Sequence, residues 1–274
     1  MSDTINFNIE TLIDNISHHD ASADDINWAA VNIDKVIVEI RNFYFQLPTL
    51  AIDNMIVNVV KTIAGHSKIS GKSHAEMYDV LQKKRIDIPS IDSIFVESEN
   101  CTSELLDVLS NSLHWGIKLS VVKHENVSPD TLAKLSCDSG LKNSLSKNKN
   151  CSVDLLERLA TDDMIVVQIN VCKNPSSPLY VKLMTAEHAK DLVDDLINEI
   201  EPSELMSMVR RGELSMARVV HTKDGDISFG DFLLSRNLLE YYQLIQSIEL
   251  KIKLDGVAND APSPCITKPR KTVF

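Results

Sequence analysis

The chain has 274 residues, enough to bury a core without disulfide or metal staples, and its formal charge of −11 opposes non-specific attraction to nucleic acid or anionic lipid. Eight glycines are too few for a turn-rich β fold and suit helices joined by short polar turns instead. Five cysteines (Cys101, Cys137, Cys151, Cys172, Cys265), odd in number, widely spaced and never arranged as C-x-x-C, fit buried thiols in a reducing compartment rather than a disulfide framework or zinc site.

The first residues, MSDTINFNIETLIDN, carry neither the basic segment nor the apolar segment of an export signal. No apolar run reaches the roughly 18 residues of a membrane span, so a soluble, cytoplasmic protein is expected. His18 and His19 lie near Asp20, Asp24 and Asp25. Adjacent helical side chains point in different directions, so a solvated helix end is expected there rather than a metal site. From Asp24, the apolar positions Ile26, Ala30, Ile33, Ile37, Ile40, Tyr44 and Leu47 alternate in steps of four and three, which predicts one long amphipathic helix ended by Pro48. Its stripe is expected in the protein's own core, with a dimer seam along Ile26–Leu47 as the alternative.

A second helix is predicted over Thr49–Ala64. A third follows Ser73, where Ser73-x-x-Glu76 has capping-box spacing. The run from His66 to Ser73 approaches a phosphate-binding loop, but Gly65 sits one position too early and a helix precedes it where that motif demands a strand. Lys72 is therefore expected to point into solvent.

Between Ser98 and Thr185 the sequence repeats with a period of about 25, the mark of stacked supersecondary units. Repeats open at Ser98, His124, Asn148 and Asn174, with Thr102, Ser128, Ser152 and Ser177 as expected helix caps, and Pro129 and Pro178 as expected first helical residues. Leu106 and Leu109, Leu132 and Leu135, and Leu156 and Leu159 then fall on one helix face and should form the core. A second short helix is expected after Asp138 and after Asp162. Lys123, Lys147 and Lys173 each stand immediately before a repeat start, so stacking would bring these candidate partner-binding residues to one edge. Over Glu97–Lys182 eleven acidic and nine basic residues nearly balance, which leaves room for such a stripe.

The stretch LATDDMIVVQINVCKNPSSP, Leu159 to Pro178, resembles the leucine-rich repeat variant family through its Leu-Ala-x-Asp start followed by Val167, Val171, Asn174, Pro175 and Pro178. The run from Val122 to Asp138 matches less fully, with His124 and Glu125 in place of Asn and Pro, and Lys182 departs from the pattern in the last repeat. The resemblance implies a curved solenoid pairing an α-helix with a shorter 3₁₀-like helix. One branch of that family holds an iron–sulfur cluster, but no matching cysteine group stands here, so no cofactor is expected.

Beyond Glu187 the sequence predicts an acidic helix ending near Ile200, a short helix after Pro202, and a segment Leu214–Val220. Asp224 to Gln246 resembles one ankyrin-type unit, with an Asp-Gly turn, a short helix, and a helix carrying Leu239 and Glu240. Thr222 to Asp231 superficially echoes a calcium loop, but Asp224 and Asp226 lack a partner at its first position and Asp231 stands where Glu is required. The tail 256–274, with its prolines and a basic cluster of Lys268, Arg270 and Lys271, is expected to be disordered. Its last three residues, Thr272 to Phe274, would suit a carboxylate-binding groove.

The expected fold class is all-α: a helical bundle (1–92), then a short right-handed helical-repeat solenoid (93–186) with a helical C-terminal cap (187–255). Such surfaces bind partners, so a non-enzymatic protein–protein interaction module is expected, without catalytic residues, metal or cofactor. A nucleic-acid-binding repeat using the lysine edge is the alternative.

Overall fold

A computed structural model describes residues 9–17, 21–83 and 91–260. His18, His19 and the tail from 261, including Thr272 to Phe274, lie outside the described residues, as does Cys265. The chain divides into two compact units, 1–152 and 153–274, a boundary inside the expected repeat segment rather than at its ends.

The first unit contains α1 (Ile9–Ser17), α2 (Ala23–Val31), α3 (Ile33–Phe43), α4 (Thr49–Ala64), α5 (Gly71–Lys83), α6 (Ile91–Val96), α7 (Ser103–Leu109), α8 (Trp115–Lys123), α9 (Pro129–Leu135), a 3₁₀ turn (Ser139–Leu141) and α10 (Lys142–Leu145). The single helix expected from Asp24 is two. At Asn32 the backbone leaves the helix (φ −104°, ψ 27°), and the Trp28 carbonyl, which already accepts the Asn32 backbone N–H at 3.0 Å, also accepts the Asn32 side-chain amide at 2.9 Å, a local bond that competes with helix continuation. Ile26, Ala30, Ile33, Ile37 and Ile40 are nonetheless all buried, because α2 packs along α5 while α3 packs on α4 and α5. These five positions lie in the unit's own core, whereas Leu47 at the end of the expected stripe is exposed. Helix α5 also starts earlier than its sequence suggests: Ser70, not Ser73, is the capping residue, and its Oγ accepts the Ser73 N–H at 3.1 Å.

The opening turns of the repeats share one hydrogen-bond scheme. The first side chain of each turn accepts the backbone N–H two residues on: Ser98 Oγ from Asn100 (3.3 Å), His124 Nδ1 from Asn126 (3.0 Å) and Asn148 Oδ1 from Asn150 (2.8 Å). That third residue then reaches back to the preceding turn. The Asn126 amide donates to the carbonyls of Glu99 and Cys101, and the Asn150 amide to those of Glu125 and Val127. Asn148 also donates to the Val122 carbonyl at 2.6 Å, supplying a partner to the end of α8. The scheme begins before Ser98: His66 Nδ1 accepts the Lys68 N–H, Asn100 donates to the His66 carbonyl, and Ser98 Oγ donates to Ala64.

The second unit contains α11 (Val153–Ala160), α12 (Ile165–Lys173), α13 (Leu179–Met184), α14 (Ala186–Glu199), α15 (Pro202–Arg210), an antiparallel hairpin of β1 (Val219–Thr222) and β2 (Gly225–Ser228), α16 (Phe229–Ser235) and α17 (Leu239–Asp260). The molecule is mostly helical, and the hairpin corrects the all-α expectation. The Asp-Gly turn is the bend of that hairpin. Gly225 has φ +126°, a region that side-chain-bearing residues rarely enter. Helix α17 runs past the expected tail boundary at Gly256 to Asp260.

The leucines of the expected stripe, Leu106, Leu109, Leu132 and Leu135 in the first unit and Leu156 and Leu159 in the second, are all buried. Ser177 is not a cap. Its hydroxyl turns inward to the Val171 carbonyl at 2.7 Å, as the Cys151 thiol does toward Leu145 one repeat earlier, and Pro178 occupies the cap position rather than the first helical residue. The second helix of a repeat is a full nine residues in α8 and α12, and only the middle repeat has a 3₁₀ turn there. Cys101, Cys151 and Cys172 are buried free thiols, whereas Cys137 is exposed. Burial pushes the Cys101 and Cys151 thiols up to about 12, which keeps them protonated and unreactive. No helix among the described residues is long and apolar enough to cross a membrane.

Candidate functional site

The lysine edge is built from helix ends. Lys123 is the last residue of α8, Lys147 follows α10, and both are exposed. The two border one cleft of about 280 Å³ in the first unit, with Asn143, Ser144 and Asn148. Among the described residues neither lysine enters an ion pair, so each ammonium is available to an external anion. Lys173 is the exposed last residue of α12, at the matching repeat position in the second unit. The edge is not uniformly basic. Lys123 also borders a larger cleft of about 660 Å³ that carries Glu97, Glu99 and Glu125.

A second feature of the first unit was not found by sequence reasoning. Between α6 and α8, closed on one side by Gln82 of α5, lies a cleft of about 570 Å³ bearing Asp92, Glu97, His114 and Ile117. Asp92 is held in place by the Tyr78 hydroxyl at 2.9 Å and the Ser112 hydroxyl at 3.5 Å. Burial and this carboxylate push the Tyr78 phenol up, so it stays a donor. The turn that supplies His114 also exposes Leu113, 98% accessible, and Trp115, 51% accessible. The Leu-His-Trp triplet was the available signal: two large apolar residues flanking the histidine at the N-cap of α8.

The near-miss motifs resolve into local structure. Lys72 is exposed and lies 3.7 Å from Glu76 on the same helix, and the segment before it is helix α4. In the echo of a calcium loop, Asp226 engages His221 at 2.8 Å and Asp231 accepts from the Ser228 hydroxyl at 2.6 Å. The hydrogen bond and charge of Asp226 raise the His221 pKa. Among the described residues no group of three His, Cys, Asp or Glu side chains is placed to hold a metal ion.

The most deeply buried carboxylate belongs to Glu157 in α11. Its Oε1 accepts the Tyr180 hydroxyl at 2.5 Å and its Oε2 the His221 backbone N–H at 2.7 Å, while Arg218 stacks 4.0 Å over the Tyr180 ring. This fastens the hairpin to α11. No family model, curated protein or solved structure matches the chain.

Proposed function

We propose that the chain is a non-enzymatic interaction module that grips an acidic segment of a partner protein through the turn edge of its helical repeats. The reading rests on the convergence of Lys123 and Lys147 on one cleft, both without an ion partner and both beside the hydrogen-bonding groups of Asn143 and Ser144. Lys173 holds the matching repeat position in the second unit and is tested by itself. A nucleic acid is disfavoured by the neighbouring cleft: a continuous phosphate backbone needs a run of cations, and next to Lys123 it would meet Glu97, Glu99 and Glu125. Buried, unpaired thiols suit a cytoplasmic setting for the module.

Affinity capture from native extract, with and without nuclease, tests this. Wild-type chain should retain proteins after nuclease treatment, K123E/K147E should release them, and K173E tests the third lysine separately. Unchanged capture by K123E/K147E refutes the lysine contact, and loss on nuclease treatment would replace the protein partner with a polynucleotide.

A further inference from the structure

We propose that the cleft between α6 and α8 is a second binding site, one that takes a peptide segment carrying arginine or lysine flanked by apolar residues. The charge of the cleft selects the cation. Asp92 and Glu97 both face it, and among the described residues neither has a cationic partner. Two carboxylates without a counterion among the described residues favour an incoming guanidinium or ammonium over any anionic ligand, which disfavours phosphate backbones and anionic lipid by sign. Asp92 is pre-oriented by Tyr78 and Ser112, so little freedom is lost when a cation docks.

The rim selects the flanking apolar residues. Leu113 and Trp115 flank the lining residue His114 in sequence without lining the cleft themselves, and large apolar side chains left in water are what an interface covers. The Trp115 ring rests against a residue with no side chain: a Cβ added at Gly140 would lie 3.2 Å from its indole nitrogen. An exposed aromatic next in sequence to a cleft that carries two carboxylates matches a basic, apolar-flanked peptide. The net charge of −11 draws the same class of ligand toward the chain.

The probe is the capped pentapeptide Leu-Arg-Leu-Arg-Leu, titrated into the full chain by calorimetry and by ¹⁵N NMR of the Trp115 indole. Its controls are lysine and citrulline analogues. The arginine and lysine peptides should bind saturably and move the Trp115 indole resonance. Citrulline, which keeps the shape and loses the charge, should bind about tenfold or more weakly, as should E97Q and D92N with the arginine peptide. D92N also leaves a single acceptor oxygen for the two hydroxyls of Tyr78 and Ser112, so E97Q and the exposed L113S give the same test without disturbing those bonds. K123E/K147E should bind the peptide as the wild type does, which separates this site from the lysine edge. Equal affinity for citrulline, an unmoved Trp115 resonance, or no saturable binding of either basic peptide at millimolar concentration overturns the proposal.

Discussion

The repeat turns of the first unit and the hairpin of the second are both non-helical segments secured by side chains, and they are secured in opposite ways. In the turns, mainly neutral groups of Asn, Ser and His bond to backbone at partly exposed positions, several weak contacts deep. At the hairpin one ionisable group, Glu157, carries two contacts in a dry setting. A distributed set of neutral bonds loses a fraction of its strength when one member goes. A buried carboxylate is all-or-nothing, because its removal leaves a hydroxyl and a backbone N–H without partners.

The sharpest break of this contrast is Glu157→Ala, expected to cost about 2 to 5 kcal/mol through the stranded donors of Tyr180 and His221. Both tryptophans, Trp28 and Trp115, lie in the first unit, so their fluorescence reports on that unit alone. Circular dichroism should therefore register the loss at lower denaturant than fluorescence does. Coincident transitions with wild-type midpoints would show that the carboxylate is dispensable.

Acid should strike the first unit through His74. This residue is fully buried, neither ring nitrogen has a hydrogen-bond partner, and its ring lies against Phe95. Burial first, then the charge of His124, lowers its pKa from 6.5 to about 4. The unfolded chain takes up this proton as pH falls below 6.5 while the folded chain does not until about 4. The stability from neutral His74 is thus complete above pH 6.5 and lost progressively down to pH 4, reaching about 3 kcal/mol. Urea unfolding followed by tryptophan fluorescence should show this slope in the wild type and a shallower one in His74→Leu. Equal slopes would remove His74 as the cause.

In the turn ladder, Asn148→Ala should cost about 1 to 3 kcal/mol, less than Glu157→Ala, since the Asn150 N–H loses its acceptor but the side-chain amides of Asn126 and Asn150 keep their own bonds. A loss as large as that of Glu157→Ala would mean the ladder is cooperative rather than distributed. The smallest effect belongs to Lys72→Ala, within about 0.5 kcal/mol by thermal melt, because its exposed pair with Glu76 is screened by water.

Helix existence was largely legible from periodicity. The bounds Thr49–Ala64 and the start at Pro202 follow from Pro and from apolar spacing, and the burial of the repeat leucines follows from their shared register. What escaped depended on single side chains. Asn32 breaks a helix whose apolar pattern runs through it unbroken, because its side-chain amide bonds locally to the Trp28 carbonyl without disturbing the stripe. The turn at His66 went unseen because a longer gap separates it from Ser98, although His66-Ser-Lys-Ile-Ser parallels His124-Glu-Asn-Val-Ser residue by residue. Of the candidate surfaces, the positions of Lys123 and Lys147 were readable, since repeat register fixes them. The α6–α8 cleft was not, because it joins Gln82, Asp92 and His114 from three helices with no common spacing.

The repeat turns also have a polarity. Asn100, Asn126 and Asn150 all donate toward the N-terminus, each to the turn before it. Every turn thus presents carbonyls to its successor and takes its own acceptors from its predecessor, like links with a hook at one end and an eye at the other. A segment cut at equivalent points, from Ser98 to Lys123, would leave the hook of His124 facing the eye of His66. Gain or loss of whole repeats at such joints would keep the chain of hydrogen bonds in register, giving this architecture a ready means of changing its length without redesigning its turns.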